Sequence, residues 1–336
     1  MDISRCQSPL VNRLTTTLTI VLLGWWIALY HFSDRDNDKS SVVTRLHGVT
    51  WTHVLPHLCS LGKEHVHPFT QGLLFTGQYT LLESSGLHSK SFLREFSLLT
   101  GLTLRRVDLP YDYFAEGVAL VVEPSTLRLH IMVLTYTNNV VLVYDYETFR
   151  LSYMYRMNYI GFGLTSNYYI NCLDLGKFVK RQRVWMTTGG SELISIGIPS
   201  SFSTGSPTVE GAVSIMLNGW SLRNVNEMDF NHKSGTIYAN IWQSNYIVEI
   251  DADTGNCINM WDLTSIASQQ PHDSDVMNGI ACHPLYSGCI ITGKLWPYLY
   301  NVEFNELGLT TRDIPSIFYD TFCNRPAASS GYQEVS

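Results

Sequence analysis

The segments YTLLESSG (residues 79–86), LHIMVLTYTN (129–138), RVWMTTGG (183–190), TIYANIWQ (236–243) and CIITGKLW (289–296) are versions of one pattern: an apolar run of strand length that breaks into small or polar residues. Their starting points at 79, 129, 183, 236 and 289 set a period of roughly 50 residues. Each is preceded by a short run of its own, TQGLLF (70–75), AEGVAL (115–120), GFGLTS (161–166), NEMDF (226–230) or NGIACH (278–283). Each is followed by another, LREFSLLTG (93–101), LVYDYETF (142–149), ELISIGIP (192–199), IVEIDADTG (247–255) or LYNVEF (299–304), several of them ending in turn residues. Several short strands per unit at this period predict the blades of an all-β propeller, and five units predict a five-bladed one. VTWTHVL (49–55) is read as the strand that closes the ring, because an open sheet edge leaves backbone groups unpaired. A sandwich of stacked hairpins is the alternative that the regular period disfavours. Residues 197–217 and 265–275 interrupt the period and are read as surface loops.

Ahead of the repeat, residues 14–32 (LTTTLTIVLLGWWIALYHF) carry no acidic or strongly basic side chain. About 19 apolar residues suffice to cross a bilayer as one helix, so a single N-terminal transmembrane helix is expected. Arg5 and Arg13 precede it and a mixed, slightly acidic stretch follows, which favours a cytoplasmic N-terminus. A cleaved signal peptide is the competing reading, but no clear small-x-small cleavage site follows. The expected organisation is a short cytoplasmic tail (1–13), the signal anchor (14–32), a linker (33–48), the propeller (49–310) and a C-terminal tail (311–336). The propeller would then lie in the lumen of the secretory pathway, in the ER or Golgi, or be secreted if the signal is cleaved.

The chain has 336 residues, of which 45% are hydrophobic and 15% charged, which excludes a disordered or fibrous protein. Its 22 Lys and Arg against 29 Asp and Glu, a formal charge of -7, argue against nucleic acid as a partner and leave a small molecule or a peptide. The seven Cys show neither CxxC nor zinc-finger spacing, so no structural metal is expected, and disulfides among the six after the apolar run are possible in an oxidising lumen.

Pseudo-symmetry picks out the polar residues. The first strand of each unit places Gln71, Glu116, Phe162, Asn226 and Asn278 at one equivalent position. First strands line the axial channel of a propeller, so these side chains are expected to form a ring at one mouth. Glu116 alone is ionisable among them, and partial desolvation raises a carboxyl toward the range of a general acid/base. The second strands add Tyr136, Trp242 and Lys294 to the same region. Channel filling explains any one of these residues as well as function does, but a lone carboxylate and a lone ammonium are costly in a channel unless they pair or act.

Other signals are weaker. His65 and His67 make an incomplete metal site, no serine lies on a nucleophile elbow, and no Gly-rich phosphate loop precedes a helix. Asp251 and Asp253 fit a hairpin turn better than a calcium loop.

HPFTQGLLF (67–75), LLESSGL (81–87), YFAEGVAL (113–120), LTYTNNVVLVYD (134–145), NEMDF, ANIWQSNYIVEIDADTG (239–255), MNGIACHP (277–284) and TGKLWP (292–297) together resemble the plant and bacterial glutamine cyclotransferases. The likeness runs from about Val49 to Glu303. It implies a five-bladed propeller that converts N-terminal glutamine of a peptide or protein to pyroglutamate and releases ammonia, with no metal or other cofactor. By position it implies Glu116 as catalytic glutamate, and Phe69, Gln71, Phe114, Asn226, Trp242 and Lys294 as pocket residues. The family commonly has LTW and EGWG where this chain has Leu134-Thr135-Tyr136 and Ile160-Gly161-Phe162-Gly163, so aromatic character survives without the indoles and without one carboxylate.

The expected mechanism folds the glutamine side chain back on its own α-amine. Trp242, Phe162, Tyr136, Phe69 and Phe114 enclose it, while Gln71, Asn226 and Asn278 bind its polar ends. Glu116 moves the proton and Lys294 stabilises the oxyanion. The expected protein is a monomer whose partners are peptides with N-terminal Gln and, through its helix, the membrane. The alternative is a weak or inactive propeller that binds N-terminal Gln or pyroglutamyl peptides; a calcium-dependent hydrolase would need acidic and amide ligands that Glu116 alone does not supply.

Overall fold

In a computed structural model the described residues are 43–61, 64–168, 174–285, 287–304 and 311–325. The segment expected to cross the membrane, 14–32, lies outside them. Among the described residues no helix is long and apolar enough to span a bilayer.

Strands β1 (Leu46–His47) and β2 (Thr50–Pro56) come first, followed by a two-stranded ladder of β3 (Cys59–Leu61) and β4 (Glu64–Val66). One sheet then follows the chain through β5 (Thr70–Gly77), β6 (Thr80–Ser85), β7 (Phe92–Ser97) and β8 (Thr103–Asp108). The next holds β9 (Phe114–Val122), β10 (Leu129–Tyr136), β11 (Val140–Asp145) and β12 (Leu151–Arg156). Then come β13 (Leu164–Ser166), β14 (Val184–Thr187), β15 (Glu192–Gly197) and β16 (Thr208–Ser214), with α1 (Leu175–Val179) inserted between the first two. After β17 (Met216–Leu217) and β18 (Trp220–Leu222) the chain forms β19 (Val225–Asn231), β20 (Thr236–Ile241), β21 (Tyr246–Ile250) and β22 (Cys257–Asp262). Helix α2 (Thr264–Ala267) leads to β23 (Met277–Cys282), β24 (Cys289–Gly293) and β25 (Tyr298–Glu303), and the described chain ends in β26 (Thr311–Arg312), α3 (Ser316–Phe322) and β27 (Cys323–Asn324).

The innermost strands stand side by side around one axis: β5 against β9, β9 against β13, β13 against β19, β19 against β23, and β23 back against β5. Closure comes from β2, which pairs antiparallel with β25 and joins the N-terminal chain to the last hairpins. β1 lies parallel to β22 and antiparallel to β26, so both ends of the domain are tied into one sheet.

The expectation of five blades needs correction: the described strands form six sheets of three or more strands. The one that the period does not announce is β17, β18 and β27. Its strands are two or three residues long and come from distant parts of the chain, too short for alternation to register. Leu217 pairs with Trp220 across Asn218 and Gly219, both at positive φ, as a two-residue hairpin turn requires. Phe318 and Phe322 of α3 pack behind this sheet with Leu217 and Leu222. The surface-loop reading of 197–217 likewise gives way at β16, which pairs with β15.

Alternation explains the core. In β10, Ile131 and Val133 face Leu82 and Leu93 of the preceding sheet, while Met132 and Leu134 face Met186 and Ile194 of the next. Both faces of the inner strands are therefore covered, and these strands read as nearly continuous apolar runs, while the outer strands β8, β12 and β16 keep many exposed residues.

Candidate active site

Four of the five ring positions sit in a β-bulge. In β9 the register jumps so that Ala115 pairs with Thr135 and Val118 with Val133, leaving Glu116 and Gly117 opposite Leu134 alone. The same shift frees Asn226 and Glu227 in β19, Asn278 and Gly279 in β23, and Gln71 in β5. An extra residue bends a strand and re-aims its side chain. Phe162, just ahead of β13, is tied to that sheet by its amide, which donates to Thr187 O at 2.8 Å.

The ends of the second strands repeat a second device. Tyr136, Thr188, Trp242 and Lys294 line one cavity, and each is followed by a residue at positive φ: Thr137, Gly189, Gln243 and Leu295. Three of those four are not glycine, in a backbone region that non-glycine residues rarely occupy. The fifth copy is Gly86, followed by Leu87 at φ 87. A Cβ on Gly86 would lie 2.4 Å from the Phe114 ring, so the missing side chain makes room for that aromatic wall.

The cavity is about 830 Å³. Phe69, Phe114, Tyr136 and Phe162 form a continuous arc around it, with successive ring centroids 6.0, 5.9 and 5.9 Å apart. Tyr136 and Trp242, 38% and 41% exposed, stand at the mouth. Glu116 and Lys294, 3% and 6% exposed, lie deep. Lys294 Nζ sits 5.0 Å from the centre of the Phe69 ring, a favourable place for a cation.

Burial dominates the electrostatics. It pushes the Glu116 carboxyl up to about 8, against the pull of the Lys294 charge. The same desolvation holds Lys294 below its usual value, opposed by Glu116 and Asp275. Glu116 Oε2 and Asn226 Oδ1 are buried without a hydrogen-bond partner among the described residues, and both belong to the cavity wall. Unpaired buried oxygens of this kind are costly, so they favour a ligand that brings donors.

All the residues assigned to the site from the sequence line this cavity except Asn278. Asn278 is fully buried behind it, and its Nδ2 donates to Thr70 O at 2.9 Å and to Gln71 Oε1 at 3.2 Å. Sequence reasoning missed Thr188 and Gln243, which lie within the repeated segments, and His88, Asn224 and Asp275, which complete the rim from loops outside them. Among the described residues no cluster of three or more His, Cys, Asp or Glu is placed to hold a metal ion.

The sequence profile of a family described as glutamine cyclotransferase matches residues 61–304. A glutaminyl-peptide cyclotransferase of Arabidopsis thaliana is 28% identical over 244 residues, which cover 71% of this chain and 68% of that protein. The crystal structure of Myxococcus xanthus glutaminyl cyclase superposes with a TM-score of 0.59 at 27% identity, over 80% of this chain and 100% of the bacterial one. A deep carboxyl beside a lysine in an aromatic cavity, and a profile that spans most of the propeller, lead to one conclusion: the chain belongs to the glutamine cyclotransferase family.

Proposed function

We propose that this chain catalyses its family's reaction, closure of an N-terminal glutamine to pyroglutamate with release of ammonia, in the cavity around Glu116. The observation that carries the reading is the buried, partnerless Glu116 oxygen at the base of an aromatic enclosure that also holds a lysine. The aromatic arc suits the methylene stem of a glutamine, and the polar groups of Gln71 and Asn226 suit its amide and amine.

In the reaction the substrate α-amine attacks its own γ-carboxamide carbon, forming the ring C–N bond. Ionised Glu116 accepts the proton released by the amine. The carbonyl oxygen takes up negative charge, which the Lys294 ammonium stabilises in a site largely closed to water. Collapse breaks the C–NH2 bond, and Glu116 returns its proton to the departing nitrogen, so that ammonia and a pyroglutamyl peptide leave. A group poised near neutrality does both halves well, and a raised Glu116 meets that condition.

Compartment and anchoring belong to the same proposal. Residues 14–32 are read as an uncleaved signal anchor with the propeller in the secretory lumen, and the Cys282–Cys289 disulfide fits an oxidising compartment. The substrates would be peptides or proteins that begin with glutamine, handled by a monomer.

The test is ammonia release from a Gln-initiated dipeptide by the full chain, with a chelator present and the pyroglutamyl product identified by mass. Turnover supports the reading. Tight peptide binding without turnover in a folded sample would replace it with the binding role that Tyr136 and Ile160 raise.

A further inference from the structure

Below the cavity, where the first sheet meets the last, three ionisable side chains are fully buried together. Glu83 of β6 accepts from Arg94 Nε of β7 at 2.7 Å through one oxygen. Its other oxygen accepts from Thr70 Oγ1 at 2.7 Å and lies 2.9 Å from His57 Nε2. His57 Nδ1 is 3.0 Å from Thr292 Oγ1. Arg94 Nη1 donates to Leu58 O at 2.6 Å, and the His57 amide donates to Pro297 O at 2.8 Å.

The two hydroxyls give this cluster its meaning. Thr70 immediately precedes Gln71, and its carbonyl is the one that Asn278 holds. Thr292 lies two residues before Lys294 on the same strand and loop. Leu295, at φ 61, adds a further tie, its amide donating to Pro68 O at 2.8 Å. The N-terminal chain at 57–58 and 68 thus grips the loop that presents Lys294, with Glu83 as the common anchor.

Buried ionic clusters are poor sources of stability compared with apolar packing, since desolvation offsets most of their attraction. What they do supply is geometry, because each charge admits few arrangements. We propose that His57, Glu83 and Arg94, acting through Thr70 and Thr292, are positioning residues that hold Gln71 and Lys294 in place relative to Glu116. None of the three lines the cavity, so their effect on the reaction is indirect. This inference rests on the function proposed above.

The groups that face one another are few. Glu83 meets His57 and Arg94; His57 meets Glu83, Arg94 and His67. Glu116 meets Lys294, which also feels Asp275. Loosening Thr292 should therefore reach Glu116 only through Lys294.

The experiment compares the full chain with Thr292→Val, Thr70→Val and Glu83→Gln, together with Thr292→Ser as the conservative rescue. Thr292→Val and Thr70→Val keep the shape and remove one hydroxyl each. The expected result for Thr292→Val is a fall in kcat of tenfold or more with KM changed less than threefold. The pH at which kcat/KM reaches half its maximum should move upward, and Thr292→Ser should restore both. Direct carboxyl NMR titration of Glu116, assigned by difference against Glu116→Gln, should move the same way. Folded valine variants with unchanged kcat and unchanged Glu116 titration would overturn the proposal. If the parent chain turns over no glutamine peptide, the functional reading fails, yet the Glu116 titration still decides whether the cluster positions Lys294.

Discussion

The Gly117 amide donates to the Phe162 carbonyl at 2.7 Å, so the residue beside the deep carboxyl is bonded directly to the backbone of the aromatic wall. The two innermost strands meet there without a side chain between them. A Cβ on Gly117 would lie 2.4 Å from Leu164 N and 2.5 Å from Phe162 O, both backbone atoms that cannot step aside. Gly117→Ala is expected to displace Glu116 and Phe162 together. Overpacking of this kind costs about 1–3 kcal/mol, and turnover should drop further than stability. Urea unfolding and ammonia release measured on the same preparation check this.

Glu116→Gln keeps shape and removes the proton carrier proposed for the reaction. Catalysis should fall by about 10²–10⁴-fold, the usual worth of a positioned acid/base group. Peptide binding and the circular dichroism spectrum should persist. Near-full turnover would remove Glu116 from its assigned role.

The raised carboxyls give stability a defined pH dependence. Burial pushes Glu116 to about 8 and Asp229 to about 7, and holds Glu227 well above its ordinary value. Between the ordinary carboxylate range and those values the folded chain binds protons that the unfolded chain has released. Stability from these groups is therefore full below the ordinary carboxylate range and declines as pH rises from there through the raised values of about 7 and 8. Glu83 works oppositely: burial raises it, but Arg94 and His57 overcome that and bring it to about 2, so its contribution is lost only as pH falls toward that value. Melting temperatures measured from pH 5 to 9 should fall from the acid end through about pH 8 for the parent and fall less for Glu116→Gln. Activity should show the reverse slope, rising toward pH 8 as Glu116 ionises.

Cys282 and Cys289 are paired across the β23–β24 hairpin, closing a loop with a sequence separation of 7. Short loops constrain the unfolded chain modestly, and the double change to serine is expected to cost about 2 kcal/mol. The cavity lies elsewhere on these strands, so kcat should be unaffected. A denaturation midpoint that moves together with kcat would contradict this separation.

Much of the candidate site is legible in the sequence because the repeat makes equivalent positions visible. Gln71, Glu116, Phe162 and Asn226 follow from aligning first strands, and Tyr136, Trp242 and Lys294 from aligning second strands. Asn278 shares the position but not the place: its amide turns back to Thr70 and Gln71. Periodicity fixes which strand end a residue occupies, while the local bulge and its neighbours decide where the side chain goes. Asp275 and His88 carried no signal, because rim loops lie outside the repeat.

The sequence by itself determined the all-β class, the repeat, the closing strand at β2 and Glu116 as the one ionisable residue among the aligned ring positions. These are local properties, set by the alternation of apolar side chains and by residue type. The sixth sheet, the bulges that aim Glu116 and Asn226, and the His57–Glu83–Arg94 cluster were decided only in three dimensions. The sheet and the cluster depend on contacts between segments far apart in the chain, such as Leu222 with Cys323 or His57 with Thr292, and the bulges on the register between neighbouring strands, β9 with β10 and β19 with β20. The raised Glu116 pKa is of the same kind: the carboxyl is ordinary chemistry, and only the folded surroundings exclude the water that would keep it so.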